Sequence, residues 1–149
     1  MSDIEKLFDD YEQRKNTEKT AQKERETQEQ EIRQQSSNTI KTIILPVLTE
    51  LSPTIQQRGH GFSFTESSED PNWLGVHIYF EPQTETNRRY RSKLHISARG
   101  IQVSMNEEIL GKSGSSRSGT VIDGTNAHVT AEWLRTQVIA FLERVLKAN

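Results

Sequence analysis

The sequence predicts an α+β fold: a long N-terminal helical arm leads into an antiparallel β-meander of four to five strands, and the arm's inner end and a C-terminal helix pack on one sheet face. Three observations predict it. Residues 1–51 contain no Gly and a single Pro, Pro46, so nothing interrupts a helix before that point. The middle of the chain alternates apolar and polar residues, and the C-terminal stretch returns to a helical stripe. The division this implies is a charged arm over 1–35, coiled-coil-like or docking in character, and a small α+β domain over 36–149.

The arm opens on Ser2-Asp3-Ile4-Glu5, a capping box that starts the helix at residue 3. Asp3, Glu5, Asp9 and Asp10 then place negative charge where the helix macrodipole is positive. Ile4, Leu7, Phe8 and Tyr11 stand at i, i+3, i+4 and i+7, a compact apolar face. From Gln13 to Gln35 the side chains are mostly Lys, Arg, Glu and Gln, with Ala21 and Ile32 the only aliphatic residues. The i, i+4 pairs Asp10/Arg14 and Glu29/Arg33 support an exposed helix there. A heptad frame puts Ile4, Leu7, Tyr11, Ala21 and Ile32 at a and d, but Arg14, Glu18, Arg25 and Gln28 fill the positions between, so the frame supports a coiled coil only in part. The same polarity also fits a frayed tail.

The apolar stripe returns at Ile40, Ile43, Ile44, Val47, Leu48 and Leu51, after Ser36-Ser37-Asn38-Thr39, a cluster expected to act as a break or a second N-cap. Pro46 is expected to bend this helix and Ser52-Pro53 to end it. On an unbroken helix the step from Ile4 to Ile40 is close to a whole number of turns. The two apolar patches would then face the same way, roughly 50 Å apart.

Composition narrows the class. At 149 residues the chain accommodates one domain of about a hundred residues plus the arm. Residues 1–35 carry ten acidic and seven basic side chains, and the remainder carries eleven and twelve, so neither part has the positive bias of a general phosphate binder. The absence of Cys excludes disulfides, thiolate catalysis and Cys-ligated zinc. No apolar run approaches a membrane span, and the acidic, amphipathic N-terminus is unlike a signal peptide. The expectation is a soluble cytoplasmic protein with no membrane contact.

Beyond the arm, Phe62 and Phe64 alternate with Ser63 and Thr65 as a first strand, followed by a turn-rich stretch Glu66–Asn72. Leu74, Val76, Ile78 and Phe80 form the apolar side of a second strand, and Leu94, Ile96 and Ala98 that of a third. Arg99-Gly100 turns the chain tightly into a fourth strand carrying Val103 and Met105. Gly111–Gly119 reads as a flexible loop, with a small hairpin over Thr120–Val129 after it. Thr130 caps a final helix with a stripe of Leu134, Val138, Phe141, Leu142 and Val145.

Three sets of residues could carry function. Ile4, Leu7, Phe8 and Tyr11 suit self-association or docking on another protein. His77, Tyr79 and His95 lie on the polar sheet face, where cross-strand imidazoles could meet a ligand, a metal or a proton-transfer substrate, although no third ligand stands at a useful spacing. Arg88, Arg89, Tyr90, Arg91 and Lys93 form a basic cluster around an aromatic, a pattern that suits single-stranded nucleic acid or a charged hairpin end. Gly111-Lys112-Ser113 resembles the end of a phosphate loop, but Asn106 stands where that motif needs its first Gly, and no helix follows. Asp123 and the Glu107-Glu108 pair have no partner at a useful sequence spacing. The reading is a non-enzymatic interaction protein of adaptor, assembly or immunity-like type. It needs no cofactor and forms a homo-oligomer, most simply a dimer, through its N-terminal helix. A nucleic-acid-associated protein is the alternative, and an enzyme using His77 and His95 comes third.

Overall fold

A computed structural model describes residues 3–70, 73–84, 90–100, 102–111, 116–122 and 129–149. The helical part begins with α1, Asp3–Thr39, passes through a π-helical turn, Ile40–Ile44, and continues as α2, Leu45–Gln57. Five strands follow: β1 Gly61–Asp70, β2 Trp73–Glu81, β3 Ser92–Arg99, β4 Gln102–Leu110 and β5 Ser116–Ile122, and α3, Ala131–Ala148, completes the order. All neighbours in the sheet run antiparallel in sequence order, so the topology is a simple meander. The fold is α+β, as the sequence predicts.

The helices cover one face of the sheet. The inner end of α1 lies against β2 and β3, α2 against β1, and α3 against β4. Between the layers the core unites Ile40, Ile44, Val47 and Leu48 from the helical rod, Val76, Ile78, Phe80, Leu94, Ile96, Val103 and Met105 from the sheet, and Leu134, Val138, Phe141 and Val145 from α3. The period-two pattern of the strands and the helical stripes are therefore two halves of one buried layer. Two ion pairs close its rim: Arg135 meets Glu50 at 2.7 Å, and Arg144 meets Glu107 at 2.8 Å. The second corrects the expectation that Glu107 lacks a partner. Glu107 falls on the core side of β4 with Val103, Met105 and Ile109, and an arginine of α3, far away in sequence, neutralises it there.

Residues 36–39 do not break the helix. Ser36 and Thr39 are buried, and they bracket one residue of the β3–β4 turn. The Gly100 N–H donates to Ser36 Oγ at 2.6 Å, and the Thr39 hydroxyl lies 3.0 Å from the Gly100 carbonyl. Each hydroxyl also reaches the carbonyl four residues back, of Ile32 and of Gln35, so the helix continues undisturbed. Polar residues that read as punctuation are a tertiary contact instead.

The prolines are handled in the same continuous rod. Leu45 N–H bonds to the Ile40 carbonyl, a π-type bond one residue before Pro46, and the widened turn makes room for a ring that would otherwise strike the Thr42 carbonyl. Pro53 does not end the helix, which continues to Gln57. Pro46 and Pro53 are two turns apart and both exposed, as are Thr42 and Thr49, so the carbonyls the prolines leave without a donor lie on the water side. The helix ends instead at Gly59, whose φ of 85° suits only glycine.

Several strands are longer than expected. β1 extends through Glu66–Asp70 because that stretch pairs along β2, and β4 runs on to Leu110. Residues 116–119, expected in a flexible loop, begin β5, whose Ser116–Thr120 side chains are exposed along a sheet edge. Polar and glycine residues suit such an edge, where apolar ones would invite further pairing. The expected second arm of a hairpin over Ala127–Val129 lies outside the described residues, except for Val129, which packs on the core. The Ser2 part of the capping box also lies outside them; the helix begins at Asp3. Thr130 caps α3 by accepting from the Trp133 N–H at 3.1 Å.

Within α3, Phe141 is completely buried and Leu142 only partly, so the two adjacent residues separate core from rim. Phe141→Ala is expected to cost about 3–5 kcal/mol, and Leu142→Ala clearly less than the 2–5 kcal/mol of a fully buried leucine, in chemical denaturation of the two variants side by side. Equal losses would contradict this placement of the helix.

Candidate functional site

Two surfaces bring the predicted residues together. The first is the outer end of α1. Every side chain from Asp3 to Glu31 is exposed, and burial starts at Ile32 and Ser36. The helix remains continuous over this length, so the tip stands roughly 50 Å from Ile40. Ile4 is 65% exposed, Leu7 62%, Phe8 58% and Tyr11 51%. Lys15 Nζ lies 5.6 Å from the centre of the Tyr11 ring, a weak cation–π contact, and pairs at 3.9 Å with exposed Glu18. Along this helix the hydroxyls of Thr17, Thr20 and Thr27 each donate to the carbonyl four residues earlier. None of these contacts covers the four apolar side chains.

The second surface is the open face of the sheet. The register sets Thr65, His77, His95, Asn106 and Thr120 in one row across all five strands. His77 and His95 are directly opposed, their rings stacked with centroids 4.3 Å apart and planes 11° from parallel. Tyr79 continues the stack beyond His77 at 6.3 Å, and the Arg91 guanidinium closes it 3.7 Å above the Tyr79 ring. The predicted residues His77, Tyr79 and His95 thus form a single ladder, with Arg91 from the basic cluster as its cap. Gly75 makes the ladder possible. A Cβ there would come within 2.7 Å of His95 Nε2 and 2.9 Å of Ser67 Oγ, so only glycine leaves the imidazole its place.

This geometry bears on what the face can do. His77 and His95 cover one face of each other, and the Arg91 guanidinium covers one face of Tyr79, so these ring faces are closed to the base stacking found in single-strand binders. Arg88 and Arg89 lie outside the described residues; Tyr90 is partly buried, and Lys93 stands in the Tyr79 row, opposite Glu108. The open depression beside the ladder, about 410 Å³, is lined by Lys93, His95, Asn106, Glu108, Ser118 and Thr120. Thr120 donates to Asn106 Oδ1 at 3.1 Å within it. Among the described residues no group of three or more His, Asp or Glu side chains is disposed to hold a metal ion. Sequence alternation alone locates the histidines on this face, but the Arg91 cap and the Gly75 clearance carry no sequence signal, because each depends on the strand register.

The class these observations define is a two-layer α+β domain carrying a projecting helix, with no helix among the described residues long and apolar enough to cross a membrane. In comparisons with known proteins, no family model, no curated protein and no solved structure matches this chain.

The ladder makes a measurable prediction. Gly75→Ala should displace the His95 imidazole and shift its ring resonances in NMR spectra. A double-mutant cycle of His77→Ala and His95→Ala should return a coupling of about 0.5–1.5 kcal/mol, as expected for a stacked pair. Unchanged ring resonances in Gly75→Ala would show that the imidazole does not lean over that residue.

Proposed function

We propose that this is a non-enzymatic, cytoplasmic protein-interaction module of adaptor, assembly or immunity-like type, and that it self-associates through its N-terminal helix. The observation that carries the proposal is the exposed quartet Ile4, Leu7, Phe8 and Tyr11 at the end of a continuous helix. A patch of this kind at the end of a rod has no route to its own domain's core, because the helix has no hinge between the tip and the clamped segment at Ser36–Thr39. Another chain must cover it. Side chains of these types gain roughly 1.5–3 kcal/mol each on full burial, before the cost of association, which suits a weak to moderate dimer.

The stacked ladder leaves the sheet's polar face with a fixed, solvent-facing pattern of Lys93, Asn106, Glu108 and Thr120. We read this face as a surface for recognising a polar partner, on the strength of the polar and charged side chains that line the depression.

Sedimentation of the full chain at several concentrations tests the proposal. The wild type is expected to show a concentration-dependent dimer, and Leu7→Asp/Phe8→Asp a monomer, while circular dichroism reports the same helix content in both. A wild type that stays monomeric throughout the range would rule out self-association.

A further inference from the structure

We infer that the partner for the arm is the arm of a second copy, lying antiparallel, with the acidic tip of each helix on the basic middle of the other. The inference rests on the self-association proposed above and adds its geometry. Residues 3–12 carry five acidic side chains and one lysine, whereas residues 14–25 carry five basic and two acidic ones. The two adjacent blocks, net −4 and net +3, are exposed along one straight helix. Parallel, in-register pairing would set like blocks together and stack Arg14, Glu18 and Arg25 on their own counterparts in the seam. The antiparallel overlap sets each acidic block against a basic one, twice per dimer.

The apolar positions select the register. When Ile4 lies opposite the partner's Ala21, Leu7 falls opposite the partner's Glu18 and Tyr11 opposite the partner's Arg14. The small Ala21 then admits Ile4, the apolar stem of Glu18 covers Leu7, and the Arg14 guanidinium stacks on the Tyr11 ring. Ile4, Leu7 and Tyr11 thus each meet a residue that can cover them, and Phe8 falls opposite the partner's Thr17. The two α+β domains stand at opposite ends of the shared rod, with both polar sheet faces clear of the joint.

The absence of Cys makes a distance measurement direct, because a single introduced Cys carries the only spin label. Full-length chains with Arg33→Cys or Asp3→Cys, both at exposed positions, would each be labelled and their intradimer distances read by pulsed electron paramagnetic resonance. At 1.5 Å per residue the inferred register places the residue 33 labels about 60 Å apart and the residue 3 labels about 30 Å apart. Distances under about 20 Å at both positions would mean a parallel pair, which overturns the antiparallel geometry while self-association stands. Any other pair of distances puts the tip elsewhere on the partner and overturns it as well. No intradimer distance at either position, with monomers in sedimentation, would overturn both the geometry and the self-association on which it rests.

Discussion

Gly100 is buried between the helical rod and the sheet, where its backbone N–H and C=O are shielded from water. Gly100 takes a φ of 62° to turn β3 into β4, a backbone conformation that residues with side chains rarely adopt. Ser36 supplies the acceptor, and Thr39 supplies a hydroxyl proton shared between the Gly100 and Gln35 carbonyls; the two residues are three apart and therefore neighbours on one helix face. Leaving a buried N–H without a partner costs about 1–3 kcal/mol, so helix and turn specify each other. Sliding the helix by one residue would lose both bonds at once. The clamp fixes where along its length the helix meets the sheet, and so how much of it projects.

The projecting length depends on the clamp and on the handling of the prolines. Pro46 in an ordinary α-helix would kink the rod at the segment that must lie flat on the sheet. The π turn over Ile40–Ile44 takes up the distortion while keeping Ile40 and Ile44 in the core. Because the freed carbonyls face water, neither proline costs a buried polar group. The rod can therefore be straight and polar beyond Ile32, since its position is set at the inner end and its outer part has only to remain helical. That part carries an exposed Lys15–Glu18 pair and threonine back-bonds along its own backbone ladder, and it buries nothing.

The elements that were legible from the sequence are those whose signal is periodic. The strands carrying Val76, Ile78, Leu94 and Ile96, the α3 stripe with its Thr130 cap, and the apolar tip face all follow from spacing alone. Where the reading departs from the structure, a tertiary contact overrides a local preference. Ser36–Thr39 resembles a helix start because Ser, Asn and Thr compete for backbone bonds, but their hydroxyls are used by Gly100. Pro53 resembles a helix end because its cost is judged without knowing which side of the helix faces water. Residues 116–119 resemble a loop because Ser and Gly have weak strand preference, yet the edge of β4 offers them a ladder. Glu107 looked unpartnered because Arg144 is 37 residues away. On the polar sheet face, alternation places His77 and His95 but not the stack they make, which depends on the missing side chain at Gly75.

The central claim is that Ser36 and Thr39, by holding the Gly100 peptide, lock a single continuous helix onto the sheet. Amide hydrogen exchange at Gly100 tests it most directly, measured in the wild type and in Ser36→Ala with the Ile96 and Met105 amides as internal references. The Gly100 amide is expected to be protected like those of the core strands in the wild type, and selectively exposed to exchange in the variant while the references stay protected. A Gly100 amide that exchanges freely in the wild type would contradict it.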